Sequence, residues 1–148
     1  MSDTPSERWL EDRLVESDTS IPDVFRAIFP CSDGCPTDWT RQFEIRAAGI
    51  CDVIASCAHH RFLIVELKCY ADEGAVSQVC RYLGAYAAMF EAIHPEARGR
   101  NTYAAAIVAF KFSSGCLFAA KAAGIRTFVA TAGVVSLTPA SIDASAFH

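Results

Sequence analysis

Apolar positions recur along this chain with two different periods, and the changes of period mark its elements. Between Ser6 and Val15, Trp9, Leu10 and Leu14 fall on one side behind a serine able to cap the first turn, which predicts a short helix. Residues 17–40 are punctuated by Pro22, Pro30, Gly34 and Pro36 among Asp and Ser, which predicts a long irregular loop with one short turn around Val24 to Ile28. From Gln42 the texture becomes strand-like. Segments 43–46, 52–56 and 62–69 are separated by Ala48-Gly49 and by the polar link 56–60, so three consecutive antiparallel strands are expected. In 74–93, Val79, Leu83, Tyr86, Phe90 and Ile93 return at helical spacing until Pro95 stops the helix. The apolar run Thr102 to Phe110 suits a strand covered on both faces, 113–123 a helix closed by Gly124, and 126–131 a last strand. This αβββαβαβ order predicts an α/β fold with a mixed central sheet of about five strands flanked by helices, and a C-terminal tail over 132–148.

Composition narrows the class. The 148 residues match one domain, and 52% hydrophobic against 20% charged residues exclude low-hydrophobicity disorder. One domain over 1–148 is expected. No uncharged apolar run approaches the ~20 residues of a membrane helix, and residues 1–19 are acidic where an export signal is basic, then apolar. Seven cysteines are an odd count, most of them in apolar runs, which suits a reducing compartment. The expectation is a cytoplasmic protein with no membrane partner. Cys31 and Cys35 form half a zinc site, but the second close-spaced pair is missing, because His59 and His60 are adjacent. Residues 1–48 carry ten acids against five bases and 49–148 seven against eight, a balance of −4 with no basic patch along the sequence. That distribution argues against strong unaided affinity for nucleic acid, which rests on clustered Lys and Arg.

The candidate chemistry lies in the second and third strands. A tight link near His59 sets Asp52 opposite Glu66 and Ile54 opposite Ile64. Two carboxylates directly opposed across a ladder destabilise it unless a cation compensates. Hard oxygen ligands select Mg²⁺, with Mn²⁺ as its substitute. Lys68 shares the face of Glu66, Phe62 and Ile64, while Leu63, Val65 and Leu67 face the other way. Its ammonium can orient water or stabilise charge growing on a phosphate. Gln78 and Tyr82, one helical turn apart, border the apolar arc of the next helix, where Gln78 needs a partner, the Lys68 amine or the substrate backbone. Arg81 stands further round, in reach of phosphate.

Taken in order, Gly49-Ile-Cys-Asp52, Ile64-Val-Glu66-Leu-Lys68 and Gln78-Val-Cys-Arg-Tyr82 resemble the PD-(D/E)XK nuclease superfamily, in its RecB-like branch with the QxxxY helix. Glu11, in Trp9-Leu-Glu-Asp-Arg-Leu14, is similar to the first-helix glutamate of that superfamily. Within it the chain looks most like the catalytic domain of NucS-like (EndoMS) mismatch endonucleases. Cys51 stands where a proline often precedes the metal aspartate, and the separate DNA-binding domain of those enzymes has no counterpart in these residues. The resemblance implies a restriction-endonuclease-like core and a Mg²⁺-dependent nuclease acting on DNA to leave 5′-phosphate and 3′-hydroxyl ends. It further implies that Asp52, Glu66, the Leu67 carbonyl and Glu11 hold the metal, that Lys68 and Gln78 serve catalysis, and that Arg81 and Tyr82 meet substrate. A non-catalytic adaptor retaining the fold, or a nuclease directed at RNA, is the alternative. The weak basic footprint adds the expectation of a homodimer or a basic partner protein.

Overall fold

The computed structural model describes residues 6–17, 20–30, 38–58, 60–131 and 137–141. Helices α1 (Glu7–Glu16) and α2 (Ser20–Ile28) precede strands β1 (Asp38–Ile45), β2 (Gly49–Cys57) and β3 (Arg61–Ala71). Helix α3 (Glu73–Ile93), a 3₁₀ turn at Pro95–Ala97, β4 (Thr102–Phe112), α4 (Ser114–Ala123), β5 (Arg126–Ala130) and β6 (Leu137–Pro139) follow. The strands form a mixed sheet in sequential order. The first three are antiparallel, β3, β4 and β5 run parallel, and β6 returns antiparallel along β5.

Two hydrophobic layers cover the sheet. Leu10, Leu14, Ile21, Val24 and Phe25 of α1 and α2 pack on Val53, Leu63, Val65, Leu67, Ala106 and Val108. Val76, Val79, Tyr82 and Tyr86 of α3, with Cys116 and Ala120 of α4, pack on Ile54, Phe62, Ile64, Ala105 and Ile107. Odd and even positions of β3 and β4 therefore serve opposite layers, as expected for central strands buried on both faces. Capping follows the local chemistry. Ser6 accepts the Trp9 amide, Asp72 the Gly74 amide and Ser113 the Cys116 amide, while Gly124, at φ +73°, ends α4 in the left-handed conformation.

The expected mixed sheet of about five strands flanked by helices is borne out, and two expectations for the segment 17–40 are corrected. The segment 17–40 contains a helix, because Ile21, Val24 and Phe25 recur at helical spacing and are buried. Pro22 lies within its first turn, where the missing amide hydrogen costs nothing, so the proline opens a helix instead of marking a loop. Strand β1 begins at Asp38, inside the expected loop, and ends at Ile45. The sheet has six strands among the described residues, the sixth lying in the expected tail. Pro139 is tolerated there because an edge strand can spare one amide donor. Cys31, Cys35 and His59 lie outside the described residues. Among the described residues, no helix is long and apolar enough to cross a membrane.

Candidate functional site

The β2–β3 ladder runs from Cys57 opposite Arg61 to Val53 opposite Val65, with Ile54 facing Ile64 as the hairpin register requires. Asp52 is the first residue beyond it. Its Oδ2 accepts the Leu67 amide hydrogen at 2.8 Å, so a side chain takes the role a backbone carbonyl would have had. On its other edge, β2 pairs with β1 through Arg41 opposite Val53 and Phe43 opposite Cys51, which leaves Gln42 and Asp52 at the same level outside the ladder. Gln42 has φ +53°, the left-handed region, in mid-strand. Both strands change sides here. Val53 belongs to the α1–α2 layer and Cys51 to the α3–α4 layer, although residues two apart in a regular strand share a face. Likewise Trp39 packs on the first layer, and Phe43 and Ile45 on the second.

This break opens a cleft of about 470 Å³ between α1 and the sheet. Helix α1 contributes Glu7, Arg8 and Glu11, β1 contributes Arg41 and Gln42, β2 contributes Asp52, and β3 contributes Glu66, Leu67 and Lys68. Glu11, 7% exposed on the buried side of α1, is bound from two directions. Arg41 Nε donates to its Oε1 at 3.0 Å, and Gln42 Nε2 lies 2.9 Å from each of its oxygens and 3.5 Å from Asp52 Oδ1. The Arg41 guanidinium also pairs with Asp12, so both acids hold its proton more firmly than usual.

Glu66 is 3% exposed, and its Oε2 accepts no hydrogen bond among the described residues. Burial, and then the neighbouring Asp52 charge, push this carboxyl up to about 9, against a smaller downward pull from Lys68. The adjacent Cys51 thiol is pushed up to about 12, first by burial and then by Glu66 and Asp52, so it is a packing group and not a nucleophile. With one buried oxygen unpartnered and a second carboxylate alongside, this carboxyl is a place where a cation can take over the role of the proton. The donor set suits a hard ion: two carboxylates and the adjoining Leu67 carbonyl. Among the described residues, no group of three His, Cys, Asp or Glu side chains is placed to hold a metal ion.

The expected residues thus divide. Glu11, Asp52, Glu66, Leu67 and Lys68 meet in one cleft. Gln78, Arg81 and Tyr82 do not line it. Gln78 Nε2 donates to Tyr82 Oη at 2.9 Å, so its partner is the tyrosine and not Lys68, a correction that follows from their shared helical face. Tyr82 is 3% exposed and lies against Gly49, and the Arg81 guanidinium stands over the Tyr82 ring at 5.7 Å. Sequence reasoning missed Arg8, Arg41 and Gln42. The last two carried a signal in principle, as polar residues in a strand whose register with β2 sets them beside Asp52.

No family model matches the chain, and no curated protein matches it. Among solved structures, a repair endonuclease from Pyrococcus abyssi aligns with a TM-score of 0.48 at 20% identity, over 76% of this chain and 46% of that one. The EndoMS-dsDNA2 complex aligns with a TM-score of 0.43 at 18% identity, over 74% of this chain and 44% of that one. The chain spans a little under half the length of each.

Proposed function

We propose that this chain is a metal-dependent nuclease of the PD-(D/E)XK type that hydrolyses DNA phosphodiester bonds in the cleft of Asp52, Glu66 and Lys68. The observation that carries the reading is the buried, unbonded Glu66 oxygen beside Asp52, in a cleft that Lys68 also lines. Asp52, Glu66 and the Leu67 carbonyl would hold Mg²⁺ or Mn²⁺, with Glu11 reaching it through water. When bound, the ion supplies Lewis acidity and a more acidic water. Lys68, a donor with no acceptor capacity, orients the attacking water and meets charge on the phosphate. Asp52 keeps the Leu67 peptide in place through its amide, and so aims the carbonyl of the same residue. The Gln78–Tyr82 pair seats α3 against Gly49 at the start of the strand that carries Asp52. Attack in line on phosphorus leaves 5′-phosphate and 3′-hydroxyl ends.

The net charge of −4, and the engagement of Arg41 by Glu11 and Asp12, support a homodimer or a basic partner as the source of further phosphate contacts. The same charge pattern favours, as a second reading, an adaptor that binds a partner and does not cut. Cleavage of plasmid, mismatched, branched and single-stranded DNA, with a parallel RNA panel, is measured with Mg²⁺, Mn²⁺ and EDTA. The nuclease reading expects cleavage that EDTA, Asp52→Ala and Lys68→Ala each abolish. Cleavage that survives Asp52→Ala removes this site from the reaction, and no cleavage together with no Mn²⁺ binding supports the adaptor.

A further inference from the structure

The chemistry of the cleft so far uses groups on α1, β2 and β3, yet the most strained backbone in its wall belongs to β1. Gln42 holds φ +53° between two regular ladder pairs. An isolated left-handed residue is uncommon outside glycine and asparagine, and it persists only where its surroundings over-determine it. Here the surroundings are two acids from different elements. The amide nitrogen approaches both Glu11 oxygens at 2.9 Å and Asp52 Oδ1 at 3.5 Å. Three carboxylate oxygens must face the NH₂ end of the side chain and not its carbonyl. Glutamine joins the two acids without adding charge, whereas a lysine or arginine in this position would occupy the cation's electrostatic place.

We propose that Gln42 is a positioning residue for the cation site: its neutral amide ties Glu11 on α1 to Asp52 on β2, and the left-handed backbone is what aims it there. The inference rests on the site reading above and deepens it, because the bridge fixes where Glu11 stands relative to Asp52. The residue's exposure along β1 is consistent with a group that faces the open cleft and not the core.

The test is Mn²⁺ titration by calorimetry of the full chain, with melting temperature recorded for each variant. Gln42→Ala and Gln42→Gly both lose the amide, but only glycine accepts the backbone without strain. The expected result is that both weaken Mn²⁺ binding about tenfold and equally, while the glycine variant melts several degrees above the alanine variant. Affinity that tracks melting temperature, with glycine close to wild type, would mean a merely structural role and overturns the proposal. The double variant Gln42→Ala with Glu11→Gln supplies an independent arm. A bridge predicts that it binds no more weakly than either single variant, and additive losses overturn it. If Asp52→Ala abolishes binding while both Gln42 variants bind like wild type, Gln42 is a bystander and the site reading stands. If Asp52→Ala binds like wild type, or wild type does not bind Mn²⁺, the site reading fails and this inference fails with it.

Discussion

Asp52 Oδ2 accepts the Leu67 amide hydrogen at 2.8 Å, across the point where the β2–β3 ladder stops at Val53 and Val65. One carboxylate oxygen thus completes the backbone hydrogen bonding of β3, while its partner Oδ1 is directed to Gln42. The same side chain ends the ladder and begins the cleft. A charged acceptor makes this bond stronger than a neutral one, and its loss leaves a buried donor unpaired.

Asp52→Asn and Asp52→Ala should therefore separate the two roles. The asparagine carbonyl still accepts the Leu67 amide hydrogen and its neutrality relieves Glu66, so stability stays within about 1 kcal/mol of wild type while Mn²⁺ binding is lost. Alanine loses Mn²⁺ binding and also orphans the amide, at a cost of about 1–3 kcal/mol relative to asparagine. Urea unfolding and calorimetric titration of both variants measure these effects.

Glu66 makes stability depend on pH. Its carboxyl is raised from 4.5 to about 9, so between those values the folded chain binds more protons than the unfolded one. Stability in the absence of metal is then greatest at the acidic end of this window and falls as pH rises through it, by at most about 1.4 kcal/mol per unit. Glu66→Gln should remove the slope and be more stable than wild type at pH 8. Because a cation has to expel this proton, Mn²⁺ binding by the wild type should strengthen up to about tenfold per pH unit on approach to about pH 9. Unfolding curves at several pH values, and titrations with proton release recorded in two buffers, check both.

Lys68 draws Glu66 downward by its charge. Lys68→Met should therefore shift the pH profile of Mn²⁺ binding to higher pH without abolishing it. Cleavage should fall about 10²- to 10⁴-fold, the loss expected when a group acting in proton transfer or on developing charge is removed. Parallel loss of binding and cleavage would reassign Lys68 to holding the metal-free fold.

Gly49 has φ +122°, and a Cβ there would lie 3.3 Å from Tyr82 Oη. Gly49→Ala should cost about 1–3 kcal/mol, most of it from backbone strain. Adding Tyr82→Phe should recover only the steric share. A differential scanning measurement in which the double variant returns fully to the level of Tyr82→Phe alone would show that the strain is absent.

Much of this architecture was legible along the chain because it rests on local rules. The α3 helix follows from its apolar spacing and its stop at Pro95, and the β2–β3 register follows from a short link and two matching Ile positions. The α2 helix was not legible because Pro22 reads as a loop signal unless its first-turn position is known. Nor was β6, three residues long and defined only by the backbone of β5. Asp52, Glu66 and Lys68 stood out by type and spacing and Glu11 by the family resemblance, and the four do share one cleft. Gln42 carried only the signal of its polarity and register, since nothing in its neighbours predicts a left-handed residue in mid-strand.

Residue order alone determined which faces of each element are apolar and which acids, amine and amides are available, because periodicity and turn chemistry act over a few positions. Whether Glu66 keeps its proton, which oxygen lacks a partner, and which amide bridges Glu11 to Asp52 were decided only by the packed structure. Those properties depend on the loss of water from groups up to 55 residues apart, as Glu11 and Glu66 are. Desolvation and close charge pairing exist only once α1 and three strands have closed around the same cleft.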